Sequence, residues 1–339
     1  MFVYFLGPGR VFGSVCIALS ESELHVHCSQ RVCGLKCRYD PRVPPASRMA
    51  CRGTTCLVAL DGSNLALRGV KLAASLMHPT KDSVCLVSVY DGAEAKQAAE
   101  RVCSTGKGEL IKLGLVDRIK IKVRLVEKRP GWEIAGILCY EANHLDNGRA
   151  VLLMGAAGVN SEKVARPRGM APMGSVADYC LSTVKVPCLL VKGQVAACRD
   201  YRKRPAMKIV CCVDPSNVSR GAFDHALALC RPGDVLWALH ISFDPRVRVE
   251  TEGIFATEVE KASATKGIEA ELKFLHKSGK GIKEDILAFV EQEMVDVLVM
   301  GSKELSDPNK KLYLGSVTSA CAKASNAHII VAKNLSTTA

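Results

Sequence analysis

Two short segments hold residue types that grip phosphate. The first reads Met154-Gly155-Ala156-Ala157-Gly158 and resumes, after fifteen intervening residues, as Gly174-Ser175-Val176-Ala177. The second reads Met300-Gly301-Ser302-Lys303-Glu304 and resumes as Gly315-Ser316-Val317-Thr318. Glycine lets backbone amides approach a ligand closely, and Gly-Ser-Val at a helix start adds unpaired N–H groups and the positive end of the dipole. Ser175 and Ser316 bring a hydroxyl to the same place. Together these make a cradle for phosphate. A plainer reading stands beside it: a glycine at a strand end serves as turn chemistry, and Gly-Ser caps a helix.

Other chemistry is poorly represented. The sequence has no Gly-x4-Gly-Lys-Ser/Thr loop and no Ser-Gly-Gly pyrophosphatase loop. His144, His225 and His240 are scattered, and each is expected to be a surface or packing residue rather than part of a nucleophile–base pair. His25, His27, Cys28, Cys33 and Cys37 crowd together without a Cys-x-x-Cys pair, so no metal centre is expected. Most of the sixteen cysteines read as packing. Cys56, Cys85, Cys188, Cys211 and Cys212 fall in strand-like apolar runs, and Cys180 and Cys321 in helix-like ones. A free cysteine there is a small hydrophobe, in keeping with a reducing compartment. No catalytic residue is assigned, and the chain is not expected to be an enzyme.

These residues need elements to position them, and the chain supplies the same set twice. Cys56-Leu-Val-Ala-Leu-Asp61-Gly-Ser63 answers Lys208-Ile-Val-Cys-Cys-Val-Asp214-Pro-Ser216. Each is an apolar strand ending in Asp-x-Ser, where Asp and Ser are natural caps for the helix that follows (Leu65 to Met77, Arg220 to Cys230). Second strands run from Ser83 to Tyr90 and from Asp234 to Ser242. Val151 to Gly155 answers Val297 to Gly301, and Pro187 to Val191 answers His328 to Val331. Continuous apolar strands alternating with helices predict a parallel sheet covered on both faces. Ligands then bind beyond the carboxyl ends of the strands, where Asp61, Gly155, Asp214 and Gly301 fall.

The expected organisation is a leader over 1–53, a first domain over 54–192, a basic linker over 193–207 and a second domain over 208–339. Hydrophobic residues make up 48% of the 339 and charged residues 24%, with charges or glycines interrupting every apolar run, so no membrane span is expected. The net charge of +12 suits anionic partners, but no RNA-binding module or aromatic platform is present, and the cluster from Arg199 to Arg204 reads as solvated linker. The leader lacks a signal-peptide core. It reads as an organelle-targeting segment or as sequence ahead of a start at Met49, and the expected location is cytoplasmic.

The duplicated Asp at the end of strand one, the Val-Met-Gly strand end and the Gly-Ser-Val loop resemble the nucleotide-binding form of the universal stress protein family. That family shows Gly-x2-Gly-x9-Gly-Ser/Thr after strand four. The resemblance covers about residues 54 to 192 and 208 to 333 and is that of a tandem, UspA-like chain. It implies an α/β fold of two tandem Rossmann-like domains, of the adenine nucleotide alpha hydrolase-like type. Each would be a five-stranded parallel sheet with helices on both faces. It also implies pairing through the last strands, within one molecule or in a homodimer.

By the same resemblance, ATP with magnesium is the cofactor. Asp61 and Val89 would contact the adenosine part in the first copy, with Ala59 and Met154 beside them, while Gly155, Gly158, Gly174, Ser175 and Val176 would hold the phosphates. The counterparts in the second copy are Asp214, Ile241, Gly301, Gly315, Ser316 and Val317.

Both copies depart from the motif. The first has fifteen residues where the family has nine, including Lys163, Arg166 and Arg168; the second carries Glu304 at the second glycine position, where a carboxylate repels polyphosphate. The resemblance therefore implies an adenine-nucleotide-binding stress-response or signalling protein, with ATP held mainly by the first copy and without efficient turnover. Two alternatives stay open: a nucleotide-independent interaction protein with degenerate loops, and a slow ATPase or ATP-dependent transferase.

Overall fold

Four strands of each copy are consecutive, nearly unbroken apolar runs, and such strands are stable only when both faces are covered. The computed structural model describes residues 53–78, 81–115, 118–148, 150–159, 173–192, 205–276, 278–302 and 314–333. The leader up to residue 52, most of the linker, the insertion with Lys163, Arg166 and Arg168, and Glu304 lie outside the described residues. Both copies belong to one structural unit.

The first copy runs β1 (Thr55–Ala59), α1 (Asn64–Leu76), β2 (Ser83–Tyr90), α2 (Gly92–Lys112), β3 (Lys120–Glu127), α3 (Ile134–His144), β4 (Ala150–Gly155), α4 (Ser175–Thr183) and β5 (Cys188–Val191). The second runs β6 (Lys208–Cys212), α5 (Asn217–Leu229), β7 (Val235–Ile241), α6 (Pro245–Lys266), β8 (Glu269–Leu275), α7 (Ile282–Gln292), β9 (Val297–Gly301), α8 (Ser316–Ala324) and β10 (His328–Ala332). The predicted strands and helices match within a residue or two, except that α5 starts three residues before its expected place. Both first helices start at their serine: Ser63 Oγ accepts from Ala66 N at 3.1 Å, and Ser216 Oγ from Ser219 N at 3.2 Å. The aspartates are not the caps. Asp61 Oδ1 accepts from Ser63 N, and Asp214 Oδ1 from Ser216 N, each at 2.9 Å, so each aspartate braces the capping residue.

All ten strands join one sheet in the order β3-β2-β1-β4-β5-β10-β9-β6-β7-β8. Every neighbouring pair is parallel except β5 and β10, which run antiparallel with Leu190 opposite Ile329 and Cys188 opposite Val331. The two five-stranded halves are thus related by an approximate two-fold axis normal to the sheet. One apolar layer takes in α1, α2, α5 and α6, and the other α3, α4, α7 and α8. The outermost strands β3 and β8 carry Lys120, Lys122 and Arg124, and Glu269, Glu271 and Lys273, charges that discourage pairing with another chain. No helix among the described residues is long and apolar enough to cross a membrane.

Ten cysteines among the described residues are free thiols, and all but the half-buried Cys212 are buried. Burial pushes seven of them above the ordinary thiol value; Cys103 reaches about 11, and Cys188 and Cys321 about 12. The hydrogen bond between Cys139 and Cys180 lowers the first and, together with burial, raises the second. The unfolded chain therefore ionises first as pH rises, and stability falls. Lys192 and Lys333, lowered by burial, and Cys139, lowered by its bond to Cys180, act in the opposite sense, but they are three against eight. Urea unfolding under reducing conditions should show a steadily falling midpoint from about pH 8 to about pH 10.5. A flat or rising midpoint would mean the thiols reach solvent in the native state.

Candidate functional site

The first copy brings its predicted residues to one edge. Asp61 follows β1 and is exposed. A Cβ added to Gly158 would stand 2.9 Å from Asp61 Oδ2, so the second glycine of the loop lies against that carboxylate. Gly174 N donates to Ala156 O at 2.7 Å, and a Cβ on Gly174 would sit 3.7 Å from Ala157 Cα and 3.8 Å from Gly158 N. Gly155, at the end of β4, is packed from behind: its Cβ would meet Leu65 Cβ at 3.0 Å, in the first turn of α1. Three glycines and an aspartate, dispersed over more than a hundred residues of chain, therefore share one corner.

That corner faces the start of α4. Gly174 is the N-cap and offers no side chain to the helix, whereas Ser63, Ser216 and Asp244 cap α1, α5 and α6 with side-chain oxygens. The first N–H groups of α4 consequently have no side-chain acceptor at the cap, the arrangement that suits an anion. Ser175 is exposed at the mouth. Val176, Ala59 and Val89 are partly buried against the layer of α3 and α4, with an edge left toward the site. Met154 is 4% exposed, and its side chain belongs to the core.

The second copy repeats the frame with altered contents. Gly301 ends β9, and a Cβ there would come within 2.8 Å of Val218 Cγ1, so close packing of α5 by itself requires this glycine. Thr318 Oγ1 donates to Gly301 O at 2.9 Å and fastens α8 to the strand end; the first copy has Ala177 at that step. Gly315 caps α8 without a side chain, Ser316 is exposed, and Val317 and Ile241 pack partly buried at the core margin. Ser302 takes the place of Ala156, and its buried Oγ has no hydrogen-bond partner. Asp214 is tied to Ser216.

The three histidines take different places. His144 is exposed, with Nδ1 at 2.8 Å from Tyr140 O. His225 is half-buried on α5, and burial pushes it down to about 4. His240 is buried in β7 at 4% exposure. Sequence reasoning missed two lysines at the seam. Lys192 Nζ donates to Ser325 O at 2.9 Å, at the end of α8, and Lys333 Nζ donates to Leu181 O in the last turn of α4. Each copy thus lays a lysine on the carboxyl end of the other's last helix. The signal was present in the repeat, since Lys192 and Lys333 each directly follow the last strand of their copy.

Gly301→Ala should destabilise the chain by about 1–3 kcal/mol through overpacking against Val218. Val218→Ala in the same chain should recover most of that loss. A double-mutant cycle in urea checks it, and strict additivity would show that Gly301 is not there for packing.

The profile of the universal stress protein family matches residues 206–333. Among solved structures, a universal stress protein from Archaeoglobus fulgidus superposes with a TM-score of 0.55 at 16% identity, over 82% of this chain and 98% of that one. A protein of unknown function from Pseudomonas aeruginosa PAO1 gives 0.55 at 14% identity, over 84% and 94%. At such identities the likeness concerns the fold. No curated protein sequence matches the chain. Residues 206–333 match the universal stress protein family, and the chain as a whole shares the fold of these solved structures.

Proposed function

We propose that the chain is an adenine-nucleotide-binding protein of stress response or signalling, holding ATP with magnesium mainly in its first copy. The observation that carries this reading is the meeting of Asp61, Gly158 and Gly174 in front of the α4 start, whose cap supplies no side chain. Backbone N–H groups there suit phosphate oxygens, and Ser175 adds a hydroxyl. Asp61 and Val89 lie at the ends of β1 and β2, where a nucleoside would rest. In this reading the protein works by binding and change of shape rather than by turnover, in a reducing cytoplasm where its buried thiols stay free.

The second copy favours another role. Val218 accounts for Gly301 by packing alone, and Thr318 holds the strand end closed, so this loop suits a structural partner that needs no nucleotide.

Thermal unfolding of the full chain with ATP, ADP or AMP and magnesium tests both statements. A ligand that binds only the folded state adds about 2.7 kcal/mol when present at a hundred times its Kd. ATP should raise the midpoint in a concentration-dependent way. Gly174→Glu should abolish the rise, and Gly315→Glu should leave it intact. Absence of any nucleotide effect would sink the nucleotide reading. Sustained release of phosphate from ATP by the native chain, lost in Gly174→Glu, would overturn the claim that it does not turn over.

A further inference from the structure

His240 is the one buried imidazole of β7, and its two nitrogens stand in different situations. Nδ1 lies 2.8 Å from Val213 O. A carbonyl only accepts, so Nδ1 carries the hydrogen. Thr251 Oγ1, which donates to Val247 O at 2.8 Å, offers Nδ1 a second acceptor at 3.5 Å. In the neutral ring Nε2 is then a bare lone pair. It is buried and has no hydrogen-bond partner among the described residues. An interior acceptor left unpaired loses its hydration without compensation, a loss that a bound donor would recover.

A cleft opens beside it, lined by His240, Ser242, Arg248, Phe274, Leu275 and His276. It holds about 20 Å³, room for one oxygen-sized group of a guest, and is partly open to solvent. Arg248 is held at the rim, its Cζ 4.5 Å from the Phe274 ring centre. The Ser242 hydroxyl oxygen accepts from Asp244 N at 3.0 Å, which leaves its hydrogen for a guest. No carboxylate lines the cleft. The lining therefore brings together one buried acceptor, His240, and three donors, Ser242, Arg248 and His276.

This place is separate from the glycine loops. His240 faces the layer of α5 and α6, while Ile241, the residue matched to the nucleotide site, faces the layer of α7 and α8. The first copy has Ser88 at the position of His240, so the feature belongs to the second copy alone.

We propose that this cleft binds a phosphate group that carries a proton. The P–OH enters the cleft and donates to Nε2 of His240. The remaining oxygens accept from Arg248, His276 and Ser242, with the guanidinium supplying charge and a planar fork. Sulfate presents no hydrogen at neutral pH and would set an oxygen against the lone pair, so the site discriminates between two ions of similar size.

The test is a titration of the full chain near neutral pH with inorganic phosphate and, separately, with sodium sulfate, read at the ¹⁵N resonance of His240 Nε2. Phosphate should give a saturable shift with the Nδ1–H tautomer retained, and sulfate should not. Arg248 is exposed on α6, so Arg248→Gln should fold normally by circular dichroism and bind phosphate about ten- to a hundredfold more weakly. Glycerol 3-phosphate separates sources: tighter binding than phosphate assigns the cleft to an ester, weaker binding to the free ion. No saturable response means the cleft holds water only and overturns the proposal. So does sulfate binding as tightly as phosphate, or an unchanged affinity in Arg248→Gln.

Discussion

The antiparallel contact between β5 and β10 is the constraint on which the arrangement depends. Either half alone would end in a short, buried and largely apolar edge strand, Cys188–Val191 or His328–Ala332, with its backbone groups unpaired. Joining the edges satisfies those groups and turns two sheets into one. It also fixes the symmetry. A two-fold axis normal to the sheet keeps equivalent helices in one layer and points the carboxyl ends of the two halves in opposite directions. The two glycine corners must therefore lie at opposite margins of the sheet.

The seam is strengthened by exchanged lysines. A cation near the carboxyl end of a helix is favoured by the dipole, and the carbonyls there have no partner in their own helix. Lys192 and Lys333 use both facts across the seam. Burial opposes them and pushes Lys192 down to about 8, so charge and desolvation work against each other at this spot. Other contacts span the seam more cheaply: Arg231 Nη2 donates to Met77 O at 2.8 Å, and Lys323 stands 3.9 Å from Asp178. The exposed pair contributes little, whereas the hydrogen bonds to helix-end carbonyls satisfy groups that would otherwise stay open.

Much of this was legible in the sequence because it rests on local rules. The apolar runs that became β2 and β9 were read to the residue, since a strand covered on both faces has no polar position to blur its ends. Ser63 and Ser216 marked helix starts by their type. The aspartates were assigned to the cap and turned out one step removed, because whether a side chain or its neighbour reaches the helix is decided by the turn rather than by composition. Met154 was counted at the site, and the alternation along β4 packs its side chain into the layer of α3 and α4. His240 was read as packing, which its burial supports, but the orphaned Nε2 arises from Val213, twenty-seven residues away. Spacing along the chain carries no record of such a meeting.

The seam also determines how the two glycine corners can influence one another. Ala156 N donates to Val191 O, and the next residue, Lys192, holds Ser325 O at the end of α8, whose other end is the Gly315 corner. In the reverse direction Ser302 N donates to Ala332 O, and Lys333 holds Leu181 O of α4, whose start is the Gly174 corner. Each corner is thus joined to the far helix through two hydrogen bonds and one rigid element. A contiguous route is not yet a coupling, which needs an element with two arrangements that both sites bias. The helices α4 and α8 meet the geometric part of that condition, since each has its start at one copy's loop and its end under the other copy's lysine. A ligand that drew the start of α4 outward would load the contact between Lys333 and Leu181, and with it the strand end that positions Ser302. Linkage would make the effect equal in both directions. A loop without a ligand of its own would still be tied to the other loop through this path.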